Sequence, residues 1–198
     1  MSNGSSNERD GDSIWRILMD NSVNTGTEFC IQAGYFFVGR STQCCWNCQR
    51  MSDVYSIMVP AGFEHLDEGR WSIEDEPSFL SNLTRLSREP YQLMQKNYPL
   101  YGPDFSKTAE DDYFMNHCQF CGAKLGDFYL HLEPGGAFFP TGREQATKVR
   151  LRRFNIRLEA IANYGGAAGE ILAKFARPLE PQEFPPLDAE EKRANEDL

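Results

Sequence analysis

The chain has little of what a membrane protein or a familiar enzyme class requires. None of its apolar runs approaches the ~20 residues needed to span a bilayer. Its opening residues, MSNGSSNERDGDS, contain no apolar core of the kind that directs export. Histidine is scarce, three in 198 residues, and no His-Glu-x-x-His pair occurs, so the metalloprotease pattern is excluded. There is no Gly-rich phosphate loop and no Gly-x-Ser-x-Gly elbow; the glycines of EPGGAF form a turn too short to cradle phosphates. These absences point to a cytoplasmic, soluble chain in which cysteine thiols stay reduced. At 198 residues it is long enough to bury a substantial core.

What the chain does have is six cysteines, four of them in two matched pairs. QCCWNCQR holds Cys45 and Cys48, and HCQFCGAKLGD holds Cys118 and Cys121. A Cys-x-x-Cys turn aims two thiolates at one point about 2.3 Å from each sulfur, which suits tetrahedral zinc. One such turn is shared with redox motifs, but two supply four soft ligands and close a structural site. The long insert between them costs entropy that grows only logarithmically with length. Disulfides are disfavoured by the compartment, and thioredoxin-like chemistry wants one exposed pair opening a helix, which neither pair does. The expected cofactor is therefore one structural Zn²⁺ on Cys45, Cys48, Cys118 and Cys121. Two substitutions stay open within that set, Cys44 for Cys45 at a wider spacing and His117 for Cys118. Cys30, between Phe29 and Ile31, reads as a small core residue.

The net charge of −9 is unevenly spread. Residues 1–12 carry a net −2, and residues 179–198, LEPQEFPPLDAEEKRANEDL, hold seven acids against Lys192 and Arg193. Both ends are too polar to bury a core and are expected to be disordered tails flanking a single domain, 13–178. Within that domain, residues 64–76 hold six acids against Arg70. Residues 143–157, in contrast, hold Arg143, Lys148, Arg150, Arg152, Arg153 and Arg157 against Glu144. Val149 and Leu151, then Phe154, Ile156 and Leu158, alternate with a change of phase at Arg152–Arg153, the signature of a half-buried strand with a bulge. Arg150, Arg152, Arg153 and Arg157 on its open face would either grip phosphate or protect a sheet edge from aggregation. Edge protection is the preferred reading, because no exposed aromatics interleave with the arginines.

Strand-like sequence brackets each knuckle: GYFFVG (34–39) and DVYSIMVP (53–60) around the first, DDYFMNHC and DFYLHLE around the second. Each knuckle should top a hairpin. Between them, EPSFLSNLTRLSRE and EPYQLMQKNYP read as a helical insert over 77–98, with Phe79, Leu80, Leu83 and Leu86 on one face. NYGGAAGEILAKFARP reads as a glycine turn, a short helix and a proline stop. The expected fold is thus α+β: zinc-ribbon-like antiparallel hairpins with a helical insert and a short C-terminal helix.

CWNCQRMSDVYSIMVP, followed by YFMNHCQFCGAKLGDFYLHLEPGGAFFP, resembles a group of uncharacterised bacterial zinc-ribbon proteins with split Cys-Trp-x-Cys and Cys-x-x-Cys-Gly-x-x-x-Gly-Asp knuckles. The likeness covers roughly residues 30–140, with a weaker echo at ANYGG. It implies that Cys45, Cys48, Cys118 and Cys121 are the zinc ligands and brings no activity with it. Gln49 departs from the pattern, since such knuckles carry glycine there.

An enzymatic reading rests on GDFYLHLE. As a strand it would place Asp127, Tyr129, His131 and Glu133 on one face, raw material for general acid–base chemistry. The solvent side of an amphipathic strand is the plainer reading. His131-Leu-Glu133 also has the His-x-Glu of zinc deaminases, but in the wrong order relative to the cysteines, and four thiolates leave no position for an activated water. The first expectation is consequently a non-enzymatic zinc protein that binds another protein, such as a bacterial immunity or antitoxin factor covering a toxin. The alternative is a nucleic-acid-binding ribbon using the basic strand 148–157, and an enzyme centred on Asp127, His131 and Glu133 is third.

Overall fold

The computed structural model describes residues 29–165 and 169–178. The two tails, 1–12 and 179–198, and residues 13–28 of the expected domain lie outside the described residues. In chain order the elements are β1 (Ile31–Ala33), β2 (Phe36–Cys44), β3 (Met51–Val59), β4 (Phe63–Asp67), β5 (Arg70–Glu74), β6 (Ser78–Phe79) and β7 (Ser81–Leu86). Then come α1 (Arg88–Asn97), β8 (Tyr101–Ser106), β9 (Asp111–His117), β10 (Lys124–Leu125) and a π-helical turn at Phe128–Leu132. The last are α2 (Arg143–Ala146), β11 (Arg150–Phe154), β12 (Leu158–Asn163), α3 (Gly169–Phe175) and β13 (Arg177–Pro178). No helix among them is long and apolar enough to cross a membrane.

Among the described residues three sheets form, ordered β13-β11-β2-β3-β6, β5-β4-β1-β12-β7 and β10-β9-β8. The first is central because β2 and β3 are apolar on both faces. Phe36, Val38, Ile57 and Val59 point into one core, which they share with Ile31, Leu83, Leu158, Met94 and Phe114. Val54 and Met58 point into the other, with Cys45, Cys118, Leu130, Phe138, Leu151 and Leu172. Cys45 and Cys118, the first of each pair, thus belong to a hydrophobic core, with Cys48 packed against it. Gly39 allows this packing, because a Cβ there would lie 2.6 Å from Cε1 of Phe79. Helix α1 carries Glu89 in its first turn and Lys96 in its last, each favourable to the helix dipole, and buries Pro90, Tyr91 and Met94. It stops at Tyr98, the residue before Pro99, where proline disfavours helical backbone.

The fold class α+β and the hairpins around both knuckles agree with the sequence reading; β2 pairs with β3, and β9 with β10. Three expectations need correction. First, the helical insert begins at Arg88, not at 77. Residues 78–86 form β6 and β7, the latter paired with β12. Between Ile161 and Asn163 of β12, β7 runs from Arg85 to Ser81, so it carries extra residues there, with Asn82 at a positive φ of 45°. That irregularity breaks the two-residue alternation and gives Leu83 and Leu86 a helix-like spacing.

Second, DFYLHLE is no strand. Glu133 N–H bonds to the Phe128 carbonyl at 3.0 Å, closing the π-helical turn. The downstream PGGAFF folds back on it: Phe138 N–H meets the Leu130 carbonyl at 2.8 Å, and Gly136 N–H meets Glu133 at 2.8 Å. A Cβ on Gly136 would fall 2.9 Å from the Leu130 and Glu133 carbonyl oxygens, so glycine is what admits this closure. Third, β11 shows no bulge. It matches β2 residue for residue from Arg150↔Arg40 to Phe154↔Phe36. The change of phase in the sequence arises because Leu151 belongs to one core while Phe154 packs against the other. Nor is β11 an edge at its start, since β13 pairs with Arg150 and Leu151.

Candidate metal centre

The first knuckle crosses from β2 to β3 and the second from β9 to β10, and the two turns are built alike. In each, the amide of the first cysteine bonds forward across the turn, Cys45 N–H to the Arg50 carbonyl and Cys118 N–H to the Ala123 carbonyl, both at 2.9 Å. In each, the residue after the second cysteine bonds back, Gln49 N–H to Cys45 and Gly122 N–H to Cys118. That residue has a left-handed backbone in both, φ 59° at Gln49 and 69° at Gly122. Gln49 therefore holds a conformation natural to glycine. Its side chain offsets part of the strain, donating Nε2 to the Trp46 carbonyl at 2.8 Å.

The turns face each other. The Sγ atoms of Cys45, Cys48, Cys118 and Cys121 all lie within 4.8 Å of one another. Cys45 sits 3.7 Å from Cys121, and Cys48 sits 3.6 Å from Cys118. Four sulfurs each 2.3 Å from a central cation would be about 3.8 Å apart along a tetrahedron's edges. The closest distances fit that figure and are far too long for a disulfide, about 2.05 Å. A four-cysteine cluster able to hold a metal ion is thus in place. Cys45 and Cys118 are buried while Cys121 is exposed, which leaves one side of the cluster open for an ion to enter.

The polypeptide around the sulfurs favours thiolates. Burial opposes ionisation of Cys118, yet the N–H groups of Phe120 and Cys121, with the Cys45 and Cys48 thiols, bring it down to about 6. The Ala123 N–H draws Cys121 below its ordinary range, helped against burial by the Asn47 amide, whose Nδ2 is 3.6 Å from the sulfur, and by the Cys45 and Cys48 thiols. At Cys48 the Arg50 N–H also favours the thiolate, but burial and the three neighbouring sulfurs push the group up to about 12. The first ionisations make the last one hard. A divalent cation reverses that opposition, and its binding releases the remaining protons.

Several contacts join the two knuckles independently of the sulfurs. Trp46 Nε1 donates to the Lys124 carbonyl at 2.9 Å, and the Arg50 guanidinium stacks 3.4 Å from the Phe120 ring centroid. Gln119 N–H bonds to Ser52 Oγ. Asn116 is the deepest of these links: its Oδ1 takes the Tyr55 N–H at 2.7 Å and its Nδ2 gives to the Tyr55 carbonyl at 2.9 Å. It stands in for a strand partner along β3. Nothing in the sequence singles Asn116 out.

The two alternative ligands lie elsewhere. His117 directs Nε2 to Asp104 at 3.0 Å, and Asp104 in turn holds Lys124 at 2.8 Å, so the imidazole braces β8, β9 and β10. The exposed Cys44 Sγ lies 3.9 Å from Gln49 Oε1 and is outside the cluster. It lines, with Trp46, Leu125, Tyr129 and Leu130, a cavity of about 470 Å³ beside the first knuckle. Cys30 packs against the first core, its thiol 3.7 Å from the Ala160 and Ala162 carbonyls.

The proposed acid–base face does not assemble. Asp127 and His131 are buried, whereas Tyr129 and Glu133 are exposed. Asp127 Oδ2 accepts the Asn82 N–H at 2.7 Å, and burial, only partly offset by that bond, raises its carboxyl to about 7. His131 stacks on Phe138 at 5.1 Å and near Phe79, and burial lowers it to about 3, so it stays neutral. The basic residues also fail to form a stripe. Arg150 donates to the Thr147 carbonyl, Arg153 lies 3.8 Å over the Tyr35 ring, and Arg157 bonds Gln32 and Glu159. Arg152 lies 5.1 Å over Phe154 and bonds the Tyr98 side chain. Along β11, Arg150 and Arg152 share one face and Arg153 takes the other. Compared with family models, curated proteins and solved structures, the chain matches none.

Proposed function

We propose that the four cysteines hold one zinc ion in a closed structural centre, of the split-knuckle zinc-ribbon kind, and that the protein works by binding another protein. The carrying observation is the sulfur cluster, with a contact of 3.6 Å between cysteines seventy residues apart and one of 3.7 Å between cysteines seventy-six apart. Soft sulfur donors in a small tetrahedral space suit zinc better than magnesium or calcium. Four of them leave no coordination position for substrate or activated water, so the role is to weld two hairpins. Asn47, Trp46 and Arg50 would orient the sulfurs from outside.

Exposed apolar side chains support the binding role. Trp46, Phe128, Tyr129 and Leu132 are each more than half exposed, and Trp46 and Tyr129 border the cavity beside the first knuckle. Aromatics presented on hydrogen-bonded turns, Trp46 on the first knuckle and Phe128 and Tyr129 on the π-helical turn, suit protein interfaces. A cytoplasmic inhibitor of the immunity or antitoxin class, covering a toxin, is the functional class we assign. The dispersed and locally engaged arginines favour this reading over nucleic acid.

Two measurements test the proposal. Cobalt substitution should give the absorption of a tetrahedral four-thiolate ion, lost in Cys118→Ser; an octahedral spectrum would refute the centre. The product of the adjacent gene should bind, whereas DNA and RNA should not at low salt. Nucleic-acid binding that falls steeply with salt would instead support the basic strand.

A further inference from the structure

The sheet β5-β4-β1-β12-β7 ends in an edge unlike the others. Most edges are guarded: β6, β10 and β13 are two residues long, β8 contains Pro103, and β7 has no exposed residue and its Asn82 N–H is taken by Asp127. Strand β5, Arg-Trp-Ser-Ile-Glu, has no proline, no neighbour on its outer side among the described residues, and four exposed residues in five. Ile73 is 67% exposed and Trp71 38%.

The backbone direction of this edge can be read from its ends. The hairpin turn at Glu68–Gly69 has positive φ at both residues, the two-residue type that makes Asp67 and Arg70 a mutually bonded pair. At the other end the Glu74 carbonyl accepts the Gly62 N–H at 2.7 Å. Residues 70, 72 and 74 therefore bond inward to β4, and the N–H and C=O groups of Trp71 and Ile73 point outward. Acidic charge predominates around them, against Arg70 within the strand and Arg157, which borders Ile73 beside Glu64. Asp67 and Glu68 stand at one end, Asp75 and Glu76 at the other, and Glu64 opposite Ile73, all exposed. Self-pairing centred on Ser72 would set Arg70 against Glu74, but also Glu68 against Glu76, and would bring two acidic hairpins together.

We infer that β5 is a docking edge for an extended, basic segment of a partner protein, which adds to the sheet as a sixth strand. Outward backbone groups of Trp71 and Ile73 supply the hydrogen bonds, the apolar side chains take alternate residues of the guest, and the acids select lysine or arginine between them. The inference deepens the interaction reading above by naming a surface and the chemistry of its partner.

The test uses the full-length, metal-loaded protein and a labelled, capped octapeptide of alternating lysine and valine, read by fluorescence anisotropy. A glutamate–valine peptide and a proline-interrupted lysine–valine peptide serve as controls. Only the uninterrupted basic peptide should bind, and its affinity should fall about tenfold on raising salt from 50 to 300 mM. Ile73→Pro removes an outward donor without touching the β4 ladder, and should weaken binding about tenfold or more. The Glu68→Lys, Asp75→Lys, Glu76→Lys triple variant, which leaves the strand backbone unchanged, should do the same. No binding at 50 mM salt, equal binding of the glutamate peptide, or indifference to both variants would overturn the proposal. So would dimerisation that strengthens with salt and disappears in Ile73→Pro, which would make a second copy the occupant. A partner held equally by wild type and Ile73→Pro would leave the interaction reading standing and refute this edge alone.

Discussion

Changing Asp127 to asparagine tests whether this carboxyl enters the folded state as an acid rather than an anion. It is 3% exposed, only its Oδ2 has a hydrogen-bond partner, and burial raises it from 3.8 to about 7. In the unfolded chain the proton leaves near 3.8, while the folded protein keeps it until about 7. Between those values each step up in pH favours unfolding, so wild type is most stable, as far as this group goes, below the unfolded value. The loss grows with pH and levels off above about 7. At about 1.4 kcal/mol per unit, the carboxyl costs roughly 2 kcal/mol at pH 5.5 and roughly 4 kcal/mol at pH 7.5. Asparagine keeps the acceptor for Asn82 and cannot ionise. Its new N–H₂ group adds an unpaired donor, a pH-independent penalty of about 1–3 kcal/mol. Denaturant unfolding of both proteins, metal-loaded, from pH 5.5 to 7.5 gives the difference directly, and the pH dependence of the metal centre cancels in it. The variant should gain about 2 kcal/mol on wild type across that range. A difference that does not change with pH would refute the account of Asp127.

The knuckle turns make an opposed pair of predictions. Gly122→Gln should destabilise by about 1–2 kcal/mol, because φ 69° is strained for a side chain, whereas Gln49→Gly should be neutral or stabilising by up to about 1 kcal/mol; thermal melts of the two variants check both. Asn116→Leu leaves the Tyr55 N–H and C=O without their partner and should cost roughly 2–4 kcal/mol in urea unfolding. Retention of wild-type stability there would show that β3 needs no substitute for a neighbouring strand.

Much of the site was legible in the sequence because its logic is local. A Cys-x-x-Cys turn fixes its own geometry over a few residues, and its duplication with strands on both sides announces two hairpins. What the sequence concealed depends on partners distant in the chain. Leu83 and Leu86 look helical only because β7 is irregular against β12, and pairing overrides a stretch already rich in Ser, Asn and Thr. The alternation in DFYLHLE counts for nothing once PGGAFF supplies its hydrogen bonds, so Asp127 and His131 turn inward. The alternation in the basic run of β11 looked bulged because Leu151 and Phe154 serve cores on opposite faces, and its strand partners β2 and β13 come from elsewhere in the chain. Asn116 was invisible for the same reason: only the folded chain brings Tyr55 to its amide.

The centre itself is tested most directly by elemental analysis of the purified, reduced protein together with a count of reactive thiols. The account predicts one zinc per chain, with Cys45, Cys48, Cys118 and Cys121 protected until a chelator removes the ion and the hairpins come apart. A protein that carries no transition metal, with all four of those thiols freely reactive and its melting temperature indifferent to chelator, would contradict it.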